Sequence, residues 1–409
     1  MSKVLAMPPR DSAFQEKVRH NWLDAFLEYA SYGEASPRLM WWVGVSTIAA
    51  VLQRKVWFDM GDFQWSPNFY ILVVGEQGVV RKSTSIDVGI RIAKKVDGVK
   101  MGPASATWQA FIDRLQEAQV RFPLPNGEMF EMACITQAVS EFGTFFKPED
   151  REQTDVLTDL WDGKLDTWEK ATRTVASNSI TNPWINLIAA TTPKWVSRNM
   201  SADELGGGMM SRIIFIREDM PDKDVPYPMD VMPVTRPGMY MALLHKLREL
   251  GDLMGPFGIT PEAKEWGSAW YIKERDEMRS GGLVELEAGF RGRKQCHLHK
   301  LAMVVAAAKG RYNIELEDML ESAKKLEEVE GDARRVLGCI GHTKITGAAA
   351  SIVATVERMK QINRKKLYKD FFFSTLQWNE FIEALRSAIR AGLVIESGSD
   401  LDPIVKYRE

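Results

Sequence analysis

Apolar residues recur at three- to four-residue spacing through Phe14, Val18, Trp22, Phe26 and Tyr29. This predicts helix over residues 13–53, interrupted by the polar turn Gly-Glu-Ala-Ser-Pro at 33–37. The run 39–52 is apolar on most faces and predicts a buried helix. Residues 55–65 place apolar stretches on either side of Gly61, the pattern of a hairpin. From Asn68 the period changes. Asn-Phe-Tyr-Ile-Leu-Val-Val is a continuous apolar run ending at Gly75, as in a strand covered on both faces of a parallel sheet. A helix over 83–96 follows. Further short apolar runs at 132–136, 185–190 and 213–216 alternate with helical stretches and predict an α/β domain over about residues 60–220.

Residues 218–238 hold five prolines and predict a linker. Residues 239–340 read as almost wholly helical. Helices over 348–361, 364–373 and 378–391 follow, the last closed by Gly392, and then a hairpin around Gly-Ser-Asp-Leu-Asp-Pro. Three helices and a terminal hairpin form the winged-helix pattern. The expected divisions are 1–60, 61–222, 223–340 and 341–409.

Composition narrows the class. The 409 residues are 45% apolar and 26% charged, as in an ordinary globular chain with room for a large core. No run is long enough to span a membrane, and the N-terminus does not read as a signal peptide. Three cysteines make no disulfide framework, so a reducing cytoplasm is expected. The net charge of −2 means that any nucleic-acid contact must come from local patches.

The chemistry concentrates at Val73–Ser85. A phosphate-binding loop needs backbone N–H groups around the phosphates and a helix N-terminus behind them. It also needs a lysine for the β/γ oxygens and a hydroxyl for Mg²⁺. Here a strand leads to Gly75 and Gly78, and Lys82, Ser83 and Thr84 open a helix. The spacing is irregular: seven residues run from Gly75 to the one before Lys82, one more than usual, and Arg81 replaces the last glycine. A bulge absorbs the extra residue on this reading, and Arg81 is available to phosphate or to a neighbouring subunit. The alternative is a chance cluster after a strand.

Glu141, after the next apolar run, is the candidate base that orients attacking water, with Ser140 where an aspartate partner of Mg²⁺ would stand. The alternative is a surface glutamate. Thr191 and Thr192 tip another strand, placed to sense a γ-phosphate or simply to cap the strand end. Arg212 enters a further strand as a candidate arginine finger for a neighbouring subunit; otherwise it is a surface arginine.

In this order, "SPNFYILVVGEQGVVRKSTS", "VSEFGTFF", "LWDGKLDTWEK", "NPWINLIAATTP", "GGGMMSRIIFI" and "HKLAMVVAA" resemble the phage- and prophage-encoded replicative helicase-like P-loop ATPases. These belong to the AAA+ class of hexameric motors. The resemblance covers about residues 15–340. It implies an N-terminal helical region (1–60), an AAA+ ATPase core (61–222), a helical lid (223–340) and ATP with Mg²⁺ as ligands. Lys82 and Ser83 become the Walker A ligands, Glu141 the Walker B base, Thr192 the first sensor and Arg212 the trans-acting finger. Arg293, with Arg291 as fallback, becomes the second sensor. Arg81, Ser140 and the extra loop residue depart from the pattern.

In related motors a hairpin before the sensor strand enters a central channel. Residues 165–184 are the counterpart here, with Lys170 and Arg173 to grip phosphates and Trp168 to stack on a base. A solvated hairpin with a packed Trp reads equally well. Residues 344–409 carry 11 Lys/Arg against 8 Asp/Glu. Lys365 and Lys366 form one patch, and Arg386 and Arg390 share a face of the presumed recognition helix. Winged helices also bind proteins. Cys296, His297 and His299 precede Cys339 and His342, but one helix through 296–299 would point the two histidines apart, against a zinc site.

The expectation is an ATP-driven DNA motor, a helicase or initiator of a mobile element, working on single-stranded DNA as a hexameric ring, with duplex possible at the winged helix. Its rivals are a nucleotide-gated loader or scaffold with weak hydrolysis and a DNA-packaging ATPase, although the nuclease carboxylates of packaging motors have no counterpart here.

Overall fold

The computed structural model describes residues 12–103, 107–163, 167–170, 178–200, 208–280, 285–337, 344–398 and 402–408. The chain forms two compact units, residues 1–337 and 338–409. It is a mixed α/β protein with parallel and antiparallel strand pairs. No described helix is long and apolar enough to cross a membrane.

Three helices open the first unit: α1 (Ser12–His20), α2 (Trp22–Ala30) and α3 (Pro37–Leu52). Asn21 caps α2 and Ser36 caps α3, each accepting a backbone N–H. Every residue of α3 from Leu39 to Leu52 is buried, as its all-round apolar sequence requires. Trp22 anchors this layer, donating from Nε1 to the Leu243 carbonyl at 3.0 Å.

The central sheet has five strands: β3 (Tyr70–Val74), β4 (Gln119–Pro123), β5 (Met129–Val139), β8 (Pro183–Thr191) and β9 (Ile213–Arg217). Their order across the sheet is β4-β5-β8-β3-β9. Strands β5, β8, β3 and β9 are parallel, and β4 closes one edge antiparallel to β5. All of β3 and β8 is buried, which is why β3 reads as an unbroken apolar run and β8 as a largely apolar one interrupted by Asn186. Helix α4 (Lys82–Ala93) follows β3, and α5 (Trp108–Glu117) precedes β4. Helix α6 (Arg151–Asp162) follows β5, and α7 (Pro193–Asn199) follows β8. A two-stranded hairpin, β6 (Thr167–Lys170) and β7 (Asn178–Thr181), leads into β8.

Residues 239–340 are less helical than their pattern suggests. Helices α8 (Arg236–Gly251), α9 (Pro261–Ser280), α10 (Glu285–Ala308) and α11 (Leu316–Leu337) are joined by two strands, β10 (Gly255–Ile259) and β11 (Asn313–Ile314). Both strands join the early hairpin β1 (Val56–Asp59) and β2 (Gln64–Trp65) in a second sheet of order β11-β10-β1-β2. Gly-Pro-Phe-Gly-Ile has little strand propensity of its own; its parallel pairing with β1, Val56↔Gly255 to Phe58↔Phe257, holds it extended.

The second unit contains α12 (Lys344–Met359), α13 (Arg364–Leu367), continued by a π turn Tyr368–Phe372, and α14 (Trp378–Arg390). The terminal hairpin is β13 (Val394–Ser397) and β14 (Ile404–Tyr407). A third strand, β12 (Gln361–Asn363), pairs with β14 and was not apparent in the sequence. Ile352, Leu367, Phe381, Leu385, Val394 and Val405 share one core.

Candidate nucleotide site

Strand β3 delivers the loop to the edge of the sheet where the parallel strands end, the usual ligand edge of open α/β sheets. Val74 is level with Thr191 of β8 and Arg217 of β9. The Gly75 N–H donates to the Thr191 carbonyl at 3.2 Å, and the Glu218 N–H donates to the Val74 carbonyl at 2.9 Å. Glycine is required at 75, since a Cβ there would lie 2.5 Å from the Glu218 carbonyl oxygen and 2.7 Å from Val80 Cγ2. Gly78 has φ +77°, the left-handed region that glycine adopts freely. Residues 76–79 are exposed while Val80 is buried, so Val80 pins the base of a protruding loop.

Helix α4 begins at Lys82 with no side-chain cap and no acidic residue in its first turn. Its N-terminal amides and dipole therefore face outward with positive character. Lys82 turns back over the loop: Nζ donates to the Gly75 carbonyl at 2.6 Å and to the Glu76 carbonyl at 2.9 Å. Burial lowers its pKa, opposed by the charges of Glu141 and Glu76. Ser83 and Thr84 are exposed at the helix start. Arg81 precedes Lys82 with φ +41°, and its guanidinium pairs with Glu34.

Strand β5 ends at Val139, leaving Ser140 and Glu141 exposed beyond it. The Glu141 carbonyl accepts from Thr144 N and Oγ1, closing a 3₁₀ turn over Phe142–Thr144. Trp195 of α7 packs edge-on against Phe142, 5.4 Å between ring centroids, and so ties this turn to the end of β8. Strand β8 lies between β3 and β5, so two strand spacings, roughly 10 Å, separate the lysine-bearing and glutamate-bearing strands. Thr192 caps helix α7 instead of the strand end, its hydroxyl accepting from Trp195 N at 3.1 Å.

The remaining cations do not converge on Lys82. Tyr70 is level with Ile213, so Arg212 stands at the edge where the strands begin, across the sheet from the loop. It is neither a surface arginine nor, within this chain, open to a neighbour. Its side chain is 5% exposed and reaches both Asp162 oxygens, at 2.9 and 2.7 Å, and the Gly208 carbonyl at 2.6 Å. Arg293 is also placed there rather than over the loop: burial and the Arg212 charge lower its pKa while Asp162 raises it. Helix α10 packs along this edge, with His297 Nε2 3.3 Å from the Ser211 carbonyl. On the same helix, Lys300 Nζ donates to Asn68 Oδ1 at 2.7 Å. Burial drives the His297 pKa down to about 3 and the Lys300 pKa to about 8. Arg291 pairs with Glu277 and Glu330 on neighbouring helices.

The hairpin before β8 is present, with Trp168 half-buried opposite Ile180. Arg173 and the side chain of Lys170 lie outside the described residues. Lys365, Lys366, Arg386 and Arg390 are exposed on the second unit. His297 faces Trp161 and Phe290, while His299 faces Phe58 and Trp65. Cys339 and His342 lie outside the described residues, and the described residues contain no cluster able to hold a metal.

Sequence reading missed Asp162, Glu34 and Lys300. An acid before Gly163 in Leu-Trp-Asp-Gly, and a lysine inside the apolar run of α10, were the only local signals; their partners are remote. Neither a protein-family model nor a curated protein matches the chain.

Proposed function

We propose that this chain is an ATP-driven DNA motor with an AAA+-type P-loop core, related to the phage and prophage replicative helicases and working as a ring. One observation carries the reading. An uncapped helix N-terminus, a close-approach glycine and an inward-turned lysine meet at the ligand edge of the sheet, with Glu141 two strands away. The loop fits a triphosphate despite its extra residue, because Val80 takes up that residue as a buried anchor.

Lys82 and the α4 amides hold the β/γ oxygens. Ser83 and Ser140 are the hydroxyls that would hold Mg²⁺, which would supply charge neutralisation on the phosphates. Glu141 takes the proton of the attacking water. Arg212 and Arg293, at the opposite edge, are assigned to the site of the next copy in the ring, and Arg212 must leave Asp162 to serve there. The hairpin at Trp168 contacts single-stranded DNA. The second unit, with three helices and a three-stranded sheet, is read as a winged helix that contacts DNA through Arg386 and Arg390.

A nucleotide-gated loader with little turnover is the second reading. It is favoured by Ser140 in place of a carboxylate and by the engagement of Arg212 with Asp162. Phosphate release with and without single-stranded DNA, in the wild type, Lys82→Ala and Glu141→Gln, decides. A motor releases phosphate faster with DNA and loses this in both variants. ATP binding without release identifies the loader, and DNA-stimulated release that persists unchanged in Lys82→Ala ends both readings.

A further inference from the structure

We propose that Glu34 is a latch on the phosphate loop, holding Arg81 away from the nucleotide until a triphosphate competes for it. The inference rests on the nucleotide-site reading above and adds a residue and a control to it.

Glu34 lies in the turn between α2 and α3, and its side chain is 12% exposed. One carboxylate oxygen pairs with Arg81 Nε. The other accepts the Val225 N–H at 3.1 Å, and the Glu34 carbonyl accepts the Asp222 N–H at 3.1 Å. Glu34 therefore joins the loop to the segment that leaves β9. Alongside, Ser36 Oγ donates to Glu218 Oε1 at 2.7 Å, so the turn is fixed from two sides and Glu34 is not free to follow Arg81.

Arg81 is the movable partner. Its side chain is 51% exposed, and it stands one residue before Lys82, at the mouth of the helix dipole. Its backbone is left-handed, φ +41°, and its carbonyl accepts both Ser85 N–H and Ser85 Oγ–H at 3.0 Å. A guanidinium is a bidentate phosphate ligand. A triphosphate offers it more negative charge than one carboxylate does, so the two anions compete for a single cation. Binding energy spent on removing Arg81 from Glu34 appears as weaker nucleotide affinity. Glu34 acts through Arg81 and is a positioning residue.

The test is a double-mutant cycle on nucleotide affinity, measured by titration with ATP–Mg²⁺ on the full chain. Glu34→Gln removes the charge but retains an oxygen for Val225 N. It should bind ATP about three- to fivefold more tightly than the wild type, the yield of one partly exposed ion pair, and the gain should shrink as salt rises. Arg81→Ala should bind more weakly, and Glu34→Gln should have no effect in that background. Glu34→Gln without effect in a wild type that binds ATP through Lys82, or an equal effect with and without Arg81, overturns the latch and leaves the site standing. A wild type that binds no ATP at millimolar concentration overturns both. If Glu34→Gln lowers the melting temperature, Arg81→Lys provides the second route: it keeps a cation for Glu34 but loses the bidentate fork, and should weaken ATP binding. Unchanged affinity in Arg81→Lys overturns the proposal.

Discussion

Lys82 donates to the carbonyl of Gly75 at 2.6 Å, so the two ends of the candidate phosphate loop are joined by the side chain best suited to hold a phosphate. Lys82→Ala should reduce ATP affinity at least tenfold, the loss of a charge-assisted contact of about 1.5–3 kcal/mol. Its melting temperature should change little, because the bonds lost are part-exposed. ATP titration and thermal melting of the same samples check both halves.

The two loop glycines should fail differently. Gly75→Ala drives a Cβ to 2.5 Å from the Glu218 carbonyl oxygen and 2.7 Å from Val80 Cγ2, between a backbone and a buried side chain, and should cost about 1–3 kcal/mol. Gly78→Ala meets open space but keeps φ +77°, and should cost only about 1 kcal/mol. Chemical denaturation of the two variants gives the ranking.

Asp162→Ala leaves the Arg212 guanidinium buried without its carboxylate. A fully buried pair broken in this way costs about 3–5 kcal/mol. Asp162 is 35% exposed, so about 2–3 kcal/mol is expected once solvent screening is allowed for. If Arg212 serves a neighbouring copy, the same variant should raise phosphate release per folded molecule, which coupled turnover and melting measurements separate.

His297 sets an acid limit. Its folded-state pKa of about 3 lies below the 6.5 of the unfolded chain because burial disfavours the cation. Between those values the unfolded chain binds the extra proton, so stability falls as pH drops from about 6.5 toward 3. The slope from this group approaches 1.4 kcal/mol per pH unit. His297→Gln should flatten that part of a denaturant-midpoint profile; an unchanged profile assigns the acid sensitivity to other groups.

On the second unit, Arg386→Glu with Arg390→Glu should weaken duplex DNA binding and lower the salt-dependence slope by about two, one phosphate contact each. Filter binding at several salt concentrations measures the slope, and unchanged binding would make this unit a protein-contact module.

Elements covered on both faces were the easiest to read. β3 shows an unbroken apolar run and β8 a largely apolar one around Asn186 because each of their side chains is buried, and the glycines and lysine after β3 follow in plain order. β10 was unreadable because nothing in Gly-Pro-Phe-Gly-Ile asks for a strand until β1 lies beside it. β12 is only three residues long and carries too little pattern. At the site, Gly75, Lys82 and Glu141 followed from local spacing. Arg212 did not, since its environment is set by Asp162, 50 residues earlier in the chain, and no periodicity links the two. The same holds for Glu34 and Arg81, which come from separate helix boundaries.

The parallel pairing of β1 with β10 has a consequence for synthesis. A nascent chain emerging from the ribosome can close its Val56–Trp65 hairpin early, but the neighbour of Val56 is Gly255, and the Trp22 indole waits for a carbonyl 221 residues further on. Until then, an apolar helix and an open strand edge stand exposed to whatever else is nearby. Fragments ending before residue 255 are therefore expected to be recovered as chaperone-bound or insoluble material, even when they contain the whole phosphate loop.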